Sequence, residues 1–154
     1  MAIKLDDTFG TVTATVATDL TPVAISINDL TDQIYVANLG ANEVTVIDGK
    51  TNVPTSVSVG LQPGTVAVDE LRNLIYVENG NGLCLTVING KTNATTTVGG
   101  AGNGGNDLAV DVLTNRVYVA IANVSSNVAV LSGSTGIVPS RIVDELMGPV
   151  NAVR

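Results

Sequence analysis

Residues 34–52 read IYVANLGANEVTVIDGKTN, and residues 75–93 repeat this stretch as IYVENGNGLCLTVINGKTN. In both copies an apolar segment around a tyrosine precedes a second apolar segment that ends in Asp-Gly or Asn-Gly. Tyr35, Tyr76 and Tyr118 lie 41 and 42 residues apart, and a looser third copy, AVLSGSTG at 129–136, follows the last tyrosine. A fixed period of this length is typical of repeat architectures. We therefore predict three tandem repeats, at about 22–62, 63–103 and 104–147.

Each repeat reads as four short strands. The first is an apolar stretch closed by Asn28, Asp69 or Asp111, and the second contains the tyrosine. The third ends in a Gly-containing dipeptide, which predicts a short hairpin, and the fourth is an alternating Thr, Ser and Val segment such as 56–59. Val (25 residues) and Thr (18) are abundant, and both are β-branched and favour strands. The predicted fold is all-β, with blade-like sheets of four antiparallel strands.

The amino-acid sequence of the repeat is specific enough to suggest a family. Residues 34–38 and 44–52, together with VDVLTNRVYV at 110–119, resemble the YVTN family of β-propeller repeats, and the resemblance covers about 11–147. It implies propeller blades, no common catalytic motif and a place on the prokaryotic cell exterior. The departures are local: Glu78 and Ala120-Ile121 replace the usual residues after Tyr-Val, and the third repeat loses the Asp-Gly turn.

Composition excludes several function classes. The chain of 154 residues is 45% hydrophobic with a net charge of −7, and its seven basic residues are scattered, which argues against nucleic-acid binding. It has no apolar run of the about 18 residues that a spanning helix needs. It has no histidine and a single cysteine, so Ser-His-Asp and Cys-His catalysis, His-based zinc sites and internal disulfides are absent. No secretory signal is visible in residues 1–10, and an extracellular or cell-surface location is expected from the resemblance alone.

Several motifs invite a chemical interpretation and are better explained by turns. The G-x-G-x-x-G at 100–105 precedes a strand rather than a helix, and the two Gly-Lys-Thr runs lack the earlier glycine of a phosphate loop. One Asp per repeat does not make a calcium site, and paired carboxylates at 69–70 and 144–145 would point to opposite faces of a strand. Cys84 fits a small buried side chain. Two sequons, at Asn93 and Asn123, fall in predicted loops. We therefore predict no catalytic, cofactor-binding or metal-binding residues.

The number of repeats suggests a function. Propellers close with roughly four to eight blades, and this chain has three, plus segments resembling a lone fourth strand at 11–18 and a lone first strand at 149–153. Open strand edges and apolar flanks promote pairing with other chains. We expect a non-catalytic, self-assembling structural protein that associates through these edge strands as a ring or a filament. The alternatives are a protein- or glycan-binding propeller module made by a closed homo-oligomer, or a piece of a longer propeller.

Overall fold

A computed structural model describes residues 10, 12–81, 84–99, 105–121 and 127–133. These residues contain eleven β-strands and no helix, which confirms the predicted all-β class. The strands are β1 (Pro22–Asn28), β2 (Gln33–Asn38), β3 (Glu43–Asp48), β4 (Pro54–Ser58), β5 (Pro63–Asp69), β6 (Leu74–Asn79), β7 (Cys84–Asn89), β8 (Thr95–Gly99), β9 (Gly105–Asp111), β10 (Arg116–Ile121) and β11 (Asn127–Ser132). Within this part of the chain no helix is long and apolar enough to cross a bilayer.

The strands form three separate antiparallel sheets, each a meander. Blade 1 has the order β1-β2-β3-β4, blade 2 has β5-β6-β7-β8, and blade 3 has β9-β10-β11. The register repeats as well, because the tyrosines at the second strands pair with Val46, Val87 and Val130 on the third strands. A bulge interrupts the start of the first strand in every blade. A fourth strand of blade 3 would fall at residues outside those described.

The predicted terminal strands have different outcomes. Residues 12–19 have no strand pairing within this single chain. The predicted strand at 11–18 is expected to pair with another molecule, so it stays a prediction. A hydrogen bond between side chains joins this segment to blade 1, because Ser56 Oγ donates to Asp19 Oδ2 at 2.7 Å. Thr11 and the segment 149–153 lie outside the described residues.

The blades stack side by side in chain order, and apolar residues fill the two junctions. The first strands β1, β5 and β9 are neighbours, as expected for the innermost strands of a propeller. The first core joins Tyr35, Val44 and Val46 of blade 1 to Ile75 and Val77 of blade 2. The second core joins the opposite side of blade 2 to blade 3 and includes Tyr76, Leu85, Leu108, Val117 and Val119. Tyr35 and Tyr76 are buried in these cores.

The predicted hairpin between β3 and β4 is present, and its turn is wider than the Asp-Gly dipeptide alone. Gly49 does not have a positive φ, and Asn52 is the left-handed residue, with φ 57°. Asp48 Oδ1 accepts hydrogen bonds from the amides of Lys50 and Thr51, so the turn is wider and is held by the Asp side chain. Gly49 is instead required by a close contact, because a Cβ there would overlap the Asp32 side chain and approach the Asp32 carbonyl oxygen to 2.8 Å.

Candidate functional site: the two open blade faces

Blade 1 has one face that no other described blade covers, and on this face the side chains of β1 are exposed while those of β2 and β3 are mostly buried. Ile25, Val66 and Leu108 occupy the same position in the three repeats, each opposite the residue that follows the tyrosine. Val66 is 6% exposed and Leu108 is 7% exposed because the preceding blade covers them, whereas Ile25 is 66% exposed. Ile27 on the same strand face is exposed as well. We call the surface around Ile25 and Ile27 the leading face.

Blade 3 has the opposite face open. Val46 and Val87, which pair with the tyrosines of blades 1 and 2, are 5% and 7% exposed, but the equivalent Val130 is 57% exposed. Val128, two residues earlier, is also exposed, and Tyr118 is only half-buried. We call the surface around Val128 and Val130 the trailing face.

The two open faces correspond to the two blade surfaces that pack together at the internal junctions. At each internal junction the side of one blade that carries the tyrosine packs against the side of the next blade that carries the Ile25-equivalent residue. The trailing face is the first kind of surface, and the leading face is the second. A second copy could therefore continue the row head to tail with the geometry of the internal junctions.

Polar links join neighbouring blades at the turn between their first and second strands. Asn28 Nδ2 of blade 1 donates to Asn73 Oδ1 of blade 2 at 2.9 Å. At the second junction the Arg72 guanidinium bridges Asp69 Oδ2 at 2.9 Å and the Val112 carbonyl of blade 3 at 2.8 Å. Asn28 and Asp69 are fully buried. The residues that close each first strand therefore help to fix the angle between blades.

The recurrent carboxylates are separated and hold turns. Asp48 lies in a β3–β4 turn, where hydrogen bonds from Thr51 lower its pKa. Asp111 lies after β9, where bonds from the Thr114 side chain and amide lower its pKa. Asp69 belongs to the Arg72 link, and no group of three metal-ligating side chains occurs among the described residues. The pair 144–145 lies outside the described part.

Two features within the blades could not be read from spacing. Asn38 Nδ2 donates to Thr45 Oγ1 at 2.8 Å, and Asn79 Nδ2 donates to Thr86 Oγ1 at 2.9 Å, so the Asn after each tyrosine ties β2 to β3, or β6 to β7, inside the core. The third repeat lacks both partners, with Ile and Ala at 121 and 129. The other feature is Glu78, a carboxyl that is 2% exposed where blades 1 and 3 have alanine.

The remaining candidates occupy structural positions. Cys84 is half-buried at the start of β7, and its carbonyl accepts a bond from Asn79 Nδ2 at 3.1 Å. Asn93 is exposed in the β7–β8 turn, as predicted, while Asn123 and residues 100–104 lie outside the described part. An open cavity of about 400 Å³ lies between the outer ends of blades 1 and 2, lined by Gln33, Asp48, Thr51 and Asn93 among others.

Comparison with known proteins supports the fold. No family model and no curated protein matches the chain. A hydrazine synthase structure from Kuenenia stuttgartiensis aligns with a TM-score of 0.66 and 24% identity, over 80% of this chain and 36% of that one. A chain of a mitotic checkpoint complex aligns with a TM-score of 0.61 and 16% identity, over 71% and 35%. A chain of a nidogen/laminin complex aligns with a TM-score of 0.60 and 10% identity, over 71% and 47%.

These likenesses bear on architecture. At such identities they show the fold alone, and the sheets are blades of the β-propeller type. The chain spans less than half the length of each of these structures. Membership of the YVTN family stays a prediction.

Proposed function

We propose that this protein is a non-catalytic structural component that acts by self-assembly through its two open blade faces. The observation that carries the proposal is the exposure of Ile25 at 66%, where the equivalent residues of blades 2 and 3 are 6% and 7% exposed. Apolar side chains exposed in a contiguous patch favour association. A surface-layer, filament or adhesion role on the cell exterior is the setting that agrees best with the resemblance and with the low content of charged residues.

The expected contact is head to tail, between the trailing face of one copy and the leading face of another. Such a contact joins two different surfaces, so it produces a closed ring if the rotation closes and a filament if it does not. Two copies would supply six blades, which is within the roughly four to eight of closed propellers. Pairing through the edge segments 11–18 and 149–153 stays a prediction beside this contact.

Complementary face variants test the proposal. Ile25→Asp blocks the leading face and Val130→Asp blocks the trailing face, so each variant alone should sediment as a monomer at micromolar concentration. Mixed in equal amounts, the two variants should form a dimer and nothing larger, because each contributes one intact face. Recovery in the mixture also shows that both variants are folded.

Val53→Asp is the matched control. Val53 is 58% exposed, close to the 57% of Val130, but it lies at the β3–β4 turn and on neither open face. This variant should assemble like the unaltered chain. A folded monomer for the unaltered chain at high micromolar concentration would overturn the proposal.

A closed ring that does not grow into filaments would favour the runner-up, a protein- or glycan-binding module made by a closed homo-oligomer. The turns after the first strands carry Leu30, Leu71 and Leu113 at equivalent positions, and all three are exposed. A ring of exposed leucines on one end of the blades would be a suitable contact surface. A folded monomer would favour the third alternative, in which further blades of a longer polypeptide cover the two open faces.

A further inference from the structure

The head-to-tail contact of the proposed function would have an unusual polar link. At the junction of blades 1 and 2 the Asn28 amide donates to Asn73 Oδ1, so the link has a donor and an acceptor. At the junction of blades 2 and 3 the carboxylate of Asp69 is neutralised by Arg72, which also reaches the Val112 carbonyl. Neither internal link therefore leaves a charge unpaired, because the first joins two neutral amides and the second pairs a carboxylate with a guanidinium.

The junction between two copies would have neither the amide pair nor the Asp–Arg pair. Asp111 is the equivalent of Asn28 and Asp69 on blade 3, and Asp32 is the equivalent of Asn73 on blade 1. Asn73 and Asp32 share a left-handed backbone, with φ 51° and 56°, which places the side chain in the same direction. The residue equivalent to Arg72 is Thr114 on blade 3, so a link like that of Arg72 is missing there, although Arg116 lies opposite Asp111 on the neighbouring strand.

The hydrogen bonds of Asp111 fix which oxygen would face the second copy. Asn28 Oδ1 accepts from the amides of Leu30 and Thr31, and its Nδ2 points across the junction. Asp111 Oδ1 likewise accepts from the amides of Leu113 and Thr114. Asp111 Oδ2 then occupies the place of the amide nitrogen, opposite a carboxylate oxygen of Asp32.

We propose that self-association joins Asp111 of one copy to Asp32 of the next, and that this carboxylate pair weakens the contact near neutral pH and strengthens it in acid. The proposal rests on the proposed function. Two carboxylates at hydrogen-bond distance repel, and they are stabilised when they share one proton. Like charges placed opposite each other across an interface strongly disfavour association.

The surrounding charges do not remove the conflict. On blade 3 hydrogen bonds from the Thr114 side chain and amide lower the pKa of Asp111, and the attraction of Arg116 lowers it further, which keeps this carboxyl ionised at neutral pH. From blade 2, Arg72 is occupied by Asp69 and the Val112 carbonyl. On the side of the incoming copy, Asp29 lies in the same turn as Asp32 and Asp48 precedes the glycine that packs on it, so both add negative charge.

Sedimentation velocity of three variants tests the pair. Asp111→Asn restores the donor of Asn28, and Asp32→Asn restores a donor on the other side, so each should tighten association at pH 7 by about tenfold or more. Asp29→Asn is the control, because it removes the same charge from the same turn without touching the pair, and should change the association constant far less. Asn28 makes the same turn bonds as Asp111, so Asp111→Asn is expected to fold.

The pH response separates the pair from the general loss of charge. All variants lose net negative charge between pH 7 and pH 4.5, so the informative quantity is the difference between the unaltered chain and Asp111→Asn. This difference should shrink in acid. Equal association constants for Asp111→Asn and Asp29→Asn at pH 7 would overturn the inference while leaving the face-to-face assembly intact. Absence of association in every variant and at every pH would overturn the assembly itself.

Discussion

Close packing between two turns requires glycine at one position of each blade: Gly49, Gly90 and Gly133. In each blade the amide of this glycine donates to the carbonyl of the left-handed residue in the preceding turn, at 2.8 Å. A Cβ on Gly49 would overlap Asp32 Oδ1 and approach the Asp32 carbonyl oxygen to 2.8 Å. The third repeat keeps the glycine even though it loses the preceding Asp or Asn.

Replacing Gly49 by alanine should therefore lower the free energy of unfolding by about 1 to 3 kcal/mol, the usual range for forcing extra atoms into a packed site. The midpoint of urea unfolding measures the change. Gly99→Ala is the control, because a Cβ there meets nothing within 4 Å. If both variants unfold at the same urea concentration, the close contact does not hold the turns together.

The side chain of Asp48 makes stability depend on pH. Its pKa is lowered in the folded chain, so the folded state binds a proton less readily than the unfolded state. The resulting stabilisation is present above the ordinary carboxyl range and is lost as the pH falls through about 4 and below. Asn89 makes the equivalent turn with bonds from Lys91 and Thr92, so an amide can replace the carboxylate.

Asp48→Asn should keep the fold and make the acid loss of stability shallower. The reciprocal change, Asn89→Asp, should make it steeper, because it adds a second carboxylate with the same turn bonds. Urea unfolding at a series of pH values from 7 to 3 measures both slopes. Superimposable curves for the two variants and the unaltered chain would show that the turn bonds contribute nothing to the acid response.

At the scale of the strand, position in the row of blades decides what a side chain does. Leu108 on β9 and Ile25 on β1 occupy the same place in their repeats, but only Leu108 is covered by a preceding blade. The sequence pattern of the two strands is alike. Their energetic roles should therefore differ for a purely tertiary reason.

Leu108→Ala should lower the free energy of unfolding by about 2 to 5 kcal/mol, because it leaves a cavity between blades. Ile25→Ala should change it by less than about 0.5 kcal/mol when the chain is dilute enough to be monomeric, as expected for an exposed site. Urea unfolding at low protein concentration compares them. Equal losses would mean that β1 is covered in solution at that concentration.

At the scale of the whole molecule, the described strands of each blade pack mainly against those of the neighbouring blade in the row. Contacts between first strands join β1 to β5 and β5 to β9. In arrays of this kind, stability is approximately a sum of terms for single repeats and for nearest-neighbour interfaces. Blade 2 has two such interfaces within the chain, whereas blades 1 and 3 have one each among the described residues. Assembly would supply the missing terms.

Much of the fold could be predicted from the sequence because the repeat is local. The period of the tyrosines, the β-branched segments and the Asn or Asp after each first strand fix four-stranded meanders, since these patterns act within about forty residues. The strand pairing therefore followed from the sequence. The turn chemistry followed only in part: the Asp side chain was recognised as a turn former, but the reason for the glycine lies in a second turn.

The site depended on tertiary structure. Ile25, Val66 and Leu108 are interchangeable as apolar strand residues, and only the packing of blades separates the covered ones from the exposed one. The proposed opposition of Asp111 to Asp32 of a second copy is likewise inferred from the Asn28–Asn73 link, which joins residues 45 positions apart. The sequence by itself determined what each blade is, because backbone pairing is specified locally. The structure decided which faces are open, because burial depends on which neighbour is present.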